Sequence, residues 1–315
     1  MSSSTTTATT RPTRNTRRAH GGKLRRLTRR DGLVLGLMLG VPLIVDLAFI
    51  WGPAIASIFY SFTDAQGARP VKWVGGKNYH FMATVDYEFW PAIWHNVLWL
   101  LVFIVIATPL GMLFAVLLDR GIKGSRVYQS MFFLPVMLSL ALIGIIWQLM
   151  YAPDNGLINN LIGKTGQGNQ IDWLGDPNIN LWAVLVEATW RQAGYVMVLY
   201  LAGLKAVNPS LREAASLDGA NEWKMFWRVV FPTMRPINIV ILVVTVIESL
   251  RAFDLVYITN GGTNGLELLS AMITQQILGA GNKIGYGSAL GVVLLAISIG
   301  PIIYFLTVQF RKEKQ

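Results

Sequence analysis

The stretch from Gly32 to about Tyr60 is apolar and long enough to cross a membrane as a helix. Five further stretches of the same character follow, at about Asn96 to Leu118, Val127 to Tyr151, Leu181 to Leu204, Ile237 to Ile258 and Tyr286 to Phe310. Within hydrocarbon every backbone N–H and C=O must be satisfied inside the segment, so such stretches must be helical. The expected fold is all-α, a polytopic membrane bundle of six transmembrane helices. Pro42, Asp46 and Pro53 are expected to bend the first of them. Composition agrees, with 53% hydrophobic and 14% charged residues in a chain of 315.

The net charge of +10 would suit nucleic acid if it were spread over a soluble surface, but its placement points to a membrane protein. Arg11, Arg14, Arg17, Arg18, Lys23, Arg25, Arg26, Arg29 and Arg30 all precede the first apolar stretch. Twenty Lys and Arg fall in that tail, in 119–128, in 205–236 and after 310, against five at Arg69, Lys72, Lys77, Lys164 and Lys283. This asymmetry places both termini on the inside of a multi-pass protein. Residues 1–31 read as a basic tail, low in complexity and disordered up to about residue 20. Residues 32–310 form the membrane domain, with an inside loop at 205–236, and 311–315 are a second tail. Thr28-Arg29-Arg30 with Ala54-Ile55-Ala56 has the outline of a cleavable twin-arginine signal, but the apolar region is far longer than a signal core.

Several chemistries are excluded. There is no cysteine, and His20, His80 and His95 make no ligand pair at helical spacing, so no metal site is expected. Gly163-Lys164-Thr165 looks like the end of a phosphate loop, but the first glycine of that motif would fall on Ile158. No catalytic constellation of a membrane enzyme is present.

Between the fourth and fifth apolar stretches lies a charged, punctuated segment, Asn208 to Pro236. Asn208 can cap a helix with Pro209 at its first position, and Ser210 with Glu213 has capping-box spacing. Asp218-Gly219 should break that helix, and a second should begin near Asn221, carrying Trp223, Phe226, Trp227 and Val230 at helical spacing, with Lys224 and Arg228 on another side. The segment reads as an elbow offering a surface outside the membrane.

Glu213-Ala214-Ala215, Asp218-Gly219-Ala220, Phe226 and Phe231-Pro232 resemble, in fixed register, the EAA loop in permease subunits of bacterial ATP-binding-cassette importers. Val229 and Phe231 stand where Ile or Leu is usual. The patches Ser61 to Asp64, Trp73 to Gly75, Trp173 to Asn178, Leu201 to Leu204 and Phe253 to Tyr257 resemble the carbohydrate branch, the maltose, glycerol-phosphate and multiple-sugar permeases, so the likeness covers nearly everything from Gly32 onward. The resemblance implies the type I importer permease fold and a non-catalytic subunit in the bacterial plasma membrane. The chain would pair with a second permease, forming half of a pathway for a sugar. An ATPase dimer inside would hold ATP and Mg2+, with no cofactor on this chain, and a solute-binding protein outside, periplasmic or a lipoprotein, would deliver the sugar. Membrane lipid is the remaining partner. Glu213, Ala214, Ala215, Asp218, Gly219, Ala220, Phe226 and Pro232 would dock the ATPase.

The ionisable residues inside the apolar stretches are the other handle. Glu187 and Arg191 are four apart and Glu248 and Arg251 three apart, so each pair shares a helix face and can form an ion pair. Charges at such depth face a bundle interior or a watery cavity, which fits either fixed structural pairs or a translocation pathway including Tyr195 and Asp254, with Asn238 adding a polar contact. Trp147, Trp182 and Trp190 read equally as interface anchors or stacking plates. A self-contained carrier or channel is the alternative; it accounts for the spans and the buried charges but not for the elbow, and the halves show no duplication.

Overall fold

The structure is a computed structural model that describes residues 29–166 and 168–313. The low-complexity segment 1–20 and the basic cluster up to Arg26 lie outside the described residues. Helices account for all the regular structure described, apart from one isolated antiparallel bridge between Thr63 and Trp73.

The helices are α1 (29–60), α2 (Lys77–Thr84), α3 (Phe89–Asp119), α4 (Ser125–Met137), α5 (Leu140–Tyr151), α6 (Leu157–Leu161) and α7 (Asn180–Ala206). They continue as α8 (Pro209–Leu217), α9 (222–233), α10 (Arg235–Leu250), α11 (Asp254–Asn260), α12 (Leu269–Leu278) and α13 (Ile284–Glu313). The chain divides into two units, Met1–Pro53 and Ala54–Gln315. In the first, the described residues are helical and almost all exposed, with Leu39 and Met38 about seven-tenths exposed. The core lies in the second.

Among the described residues three helices are long and apolar enough to cross a membrane, α1, α3 and the Ile284–Pro301 part of α13. The pair α4 and α5 makes a fourth if its halves count together. Helix α7 is continuous over 27 residues, but its apolar run is interrupted by Glu187 and Arg191, and α10 has only 16 residues.

Several expected boundaries move. The third stretch is not one rod, because α4 and α5 meet at 104°. Leu138 and Ser139 are extended there, and the Ser139 side chain accepts the Leu142 N–H at 3.2 Å, starting a new helix at Leu140, five residues after Pro135. The fifth stretch ends at Leu250 and resumes as α11, leaving Arg251 to Phe253 outside any helix. Helix α3 begins at Phe89, seven residues before the expected Asn96, and the loops 61–95, 152–180 and 259–285 contain α2, α6 and α12. Helix is present from Arg29 and persists to Glu313.

Helix α7 is the axis of the second unit. Ala193 and Val196 come so near α3 that a Cβ on Gly111 would lie 2.7 Å from the Ala193 carbonyl, and a Cβ on Gly194 would lie 2.2 Å from the Phe132 carbonyl of α4. Small residues let helix backbones approach where lipid supplies no hydrophobic drive for association. Below this contact Ala115 and Leu118 pack with Val196, Met197, Tyr200, Leu201 and Leu204; above it Trp99 and Phe103 pack with Val184, Leu185 and Ala188.

Candidate functional site

The interruption at Arg251 to Phe253 is the first place where function becomes visible. Non-helical backbone at membrane depth is tolerated only inside protein or along a cavity. Here both conditions hold. The Ala252 carbonyl accepts the Ser270 hydroxyl, and a cavity of about 120 Å³ opens against Arg251, Ala252, Phe253 and Asp254. Its other walls include Trp99, Phe103, Ala188, Arg191 and Glu248. Phe103 reaches it from a π turn of α3, Phe103–Ala107, whose first carbonyl is also taken by the Thr108 hydroxyl at 2.9 Å.

The structure therefore brings Arg191, Glu248, Arg251 and Asp254 together, but not in the pairs the spacing predicts. Arg191 Nη1 lies 3.6 Å from Glu248 Oε2, an ion pair across helices. Neither expected intrahelical pair, Glu187 with Arg191 or Glu248 with Arg251, is formed. Arg251 caps the end of α10, its N–H bonded to the Ile247 carbonyl, and its side chain is exposed, while Glu248 is engaged by Arg191. Glu187 is 2% exposed and its Oε1 has no hydrogen-bond partner. Tyr195 is half-buried and does not line the cavity. Asn238 is absorbed locally, donating to the Phe231 carbonyl at 3.1 Å.

Unpaired polar atoms collect on the same turns. Arg191 Nε and Gln192 Nε2 on α7, Thr245 Oγ1 on α10 and Trp99 Nε1 on α3 are all buried without a partner. Buried polar groups are normally bonded; of these four residues Trp99 and Arg191 line the cavity. Trp99 is the residue the sequence reading missed; it sits one turn before Phe103 in an apolar run with nothing local to single it out. Among the tryptophans that reading did weigh, Trp182 and Trp190 are exposed, while Trp147 packs edge-on against Trp190 with its indole N–H buried and unpartnered.

The elbow forms as its residues dictate. The Asn208 side chain accepts the Ser210 N–H at 3.0 Å and caps α8, which leaves Ser210 inside the first turn rather than at the cap of a Ser210–Glu213 box. Gly219 has φ +76°, the left-handed conformation expected after Asp218. Asn221 caps the second helix by accepting the Lys224 N–H at 2.8 Å. Of the residues assigned to docking, Glu213, Ala214, Asp218, Gly219 and Pro232 are exposed, and Ala220 is half-buried. Ala215 is buried and Phe226 packs with Val230 against α3 and α7, so these two face the chain's own core. Leu217, by contrast, is 88% exposed at the tip of the elbow.

A helix bundle with a broken span, an internal polar cavity and a projecting elbow is the shape against which relatives can be compared. Residues 107–313 match the family described as the inner membrane component of binding-protein-dependent transport systems. The chain belongs to this family. Among relatives, the permease is 31% identical to the osmoprotective compounds uptake permease protein GgtC of Synechocystis sp., over 85% of this chain and 95% of the relative. It is 30% identical to the xylose/arabinose import permease protein XacH of Haloferax volcanii, over 87% of each chain. It is also 30% identical to the trehalose/maltose transport system permease protein MalF of Thermococcus litoralis, over 89% of this chain and 95% of that one. In fold the permease is similar to a bacterial ABC transporter that imports alginate, with a TM-score of 0.77 at 22% identity over 90% of this chain and 96% of the other. A second structure, of an alginate transporter in complex with a pentasaccharide-bound periplasmic protein, gives 0.78 at 20% identity, over 91% and 96%.

Proposed function

We propose that the permease is one half of a heterodimeric pathway that carries a neutral sugar or oligosaccharide across the bacterial plasma membrane, both termini inside, driven by a separate ATPase. The elbow is the docking surface, ATP and Mg2+ belong to the ATPase, and an external binding protein delivers the sugar. The observation that carries this reading is the exposed tip of the elbow: Glu213, Leu217 and Gly219 face outward on a loop held firmly to the bundle. An apolar side chain as exposed as Leu217 at the tip of a rigid turn is what a partner's pocket would take up.

The sugar class rests on the cavity. Arg191 and Glu248 neutralise one another, and Arg251 with Asp254 adds one charge of each sign, so a solute entering meets no net charge. Trp99, Phe103 and Phe253 add aromatic surface. Aromatic faces beside charge-assisted donors and acceptors suit a polyhydroxylated ring, whose hydroxyls both donate and accept. Relatives named for xylose/arabinose and trehalose/maltose transport support the same class.

The test is reconstitution in proteoliposomes with a candidate second permease and ATPase, with binding protein outside. Uptake of a labelled sugar that needs ATP and all the subunits is expected. Uptake by this chain alone, without ATP, would identify a self-contained carrier instead.

A further inference from the structure

Adjacent charges at the end of α3 receive adjacent elements of the elbow. Arg212 Nη1 of α8 donates to Asp119 Oδ2 at 2.9 Å, and Arg120 Nη2 lies 2.7 Å from Glu222 Oε2 at the start of α9. The acid–base order on α3 thus meets a base–acid order on the elbow. The two pairs differ in worth. Arg120 and Glu222 are more than half exposed, and such pairs contribute little. The Arg212 side chain is 33% exposed and that of Asp119 15%, and Arg212 makes a second bond, from Nη2 to the Leu204 carbonyl at 3.1 Å. That carbonyl belongs to the last turn of α7, where no later helical N–H can reach it. One planar guanidinium therefore fastens the ends of α3 and α7 to the elbow, a task that a point charge such as Lys cannot duplicate.

Arg212 takes no part in the outward face, since Leu211 and Glu213 on either side are exposed while its own side chain turns inward. The helices it joins are in close contact, since a Cβ on Gly111 would lie 2.7 Å from the Ala193 carbonyl and from Val196. From Leu204 helix α7 runs back to Arg191 in the cavity wall, thirteen residues or about 20 Å of rigid helix.

We propose that Arg212 is the positioning residue of the coupling elbow, tying α8 to α3 and α7 so that movement imposed on the elbow reaches the Arg191–Glu248 pair. This rests on the reading of the elbow as the ATPase dock. It assigns to Arg212 transmission, not docking.

The experiment uses the whole reconstituted transporter and measures membrane abundance, ATPase co-purification, ATP hydrolysis and sugar uptake in parallel. Arg212→Gln and Asp119→Asn are expected to keep abundance and co-purification while raising the ATP consumed per sugar roughly tenfold, within the usual range of coupling between sites. Arg212→Lys, which keeps the Asp119 contact but not both bonds, should fall between. The exchange Asp119→Arg with Arg212→Asp should recover only part, because an aspartate opposite the Leu204 carbonyl offers no donor. An unchanged ratio in Arg212→Gln overturns the proposal, and so does a uniform loss of abundance across all four variants, which would make the contact merely structural. Failure of the underlying reading shows separately, as wild-type uptake that needs no ATPase.

Discussion

Arg191 on α7 pairs with Glu248 on α10 across 3.6 Å, while Glu187, one turn earlier on the same helix as Arg191, stays buried without an ion pair. The cross-helix contact forms part of the cavity wall, so it couples the packing of two helices to whatever occupies the space between them. The consequence is measurable. In a double-mutant cycle on detergent-solubilised protein, Arg191→Gln and Glu248→Gln should be non-additive by about 1 kcal/mol, each single change leaving the other charge unpaired. Arg191→Gln and Glu187→Gln should add. Additivity in the first cycle, or coupling in the second, would reassign the pair.

Leu217 supplies the second prediction. Its side chain is 88% exposed, so Leu217→Ala removes almost no contact within the permease and should leave thermal stability unchanged. If it fills a pocket on the ATPase, affinity should fall by about 2 kcal/mol, roughly thirtyfold. Titration of ATPase onto permease-containing nanodiscs reads this directly.

Gly219 at φ +76° has no other atom within 4 Å of where a Cβ would stand. Any penalty for a larger residue is therefore backbone strain, about 1 to 2 kcal/mol for a β-branched residue. Gly219→Val should reshape the elbow, keep normal membrane abundance and abolish uptake. Gly219→Asn should retain most uptake, since Asn tolerates the left-handed region. Equal uptake by wild type and Gly219→Val would show that the turn's geometry is irrelevant to transport.

Gly111 makes the opposite case. A Cβ there meets Val196 and the Ala193 carbonyl at 2.7 Å, so Gly111→Val must push α3 from α7 and should cost about 1 to 3 kcal/mol. Membrane abundance should fall. Gly36→Ala, in open space on α1, is the control and should not change it.

Much of this protein could be read from one dimension, and the reason is locality. Asn208 and Asn221 cap helices with their own side chains, Pro209 suits a first turn, and Gly219 follows Asp218 into a left-handed turn; each depends on residues within three or four positions. Apolar length alone made the chain a membrane helix bundle. Helical spacing also put Glu187 with Arg191 and Glu248 with Arg251 on shared faces. It carries no information about which neighbouring helix each face meets, and an inter-helix partner displaced both local pairs. The break at Leu138 was hidden because the apolar run continues through it. At Arg251 to Phe253 the charges were visible, but the contacts that make a non-helical course tolerable, the Ala252 carbonyl taken by Ser270 and the cavity beside it, come from elsewhere in the fold. Arg212 with Asp119, ninety-three residues apart, and the outward turn of Leu217 likewise arise from how α3, α7 and the elbow pack, because charge pairing and burial depend on distances through space that the order of residues leaves open.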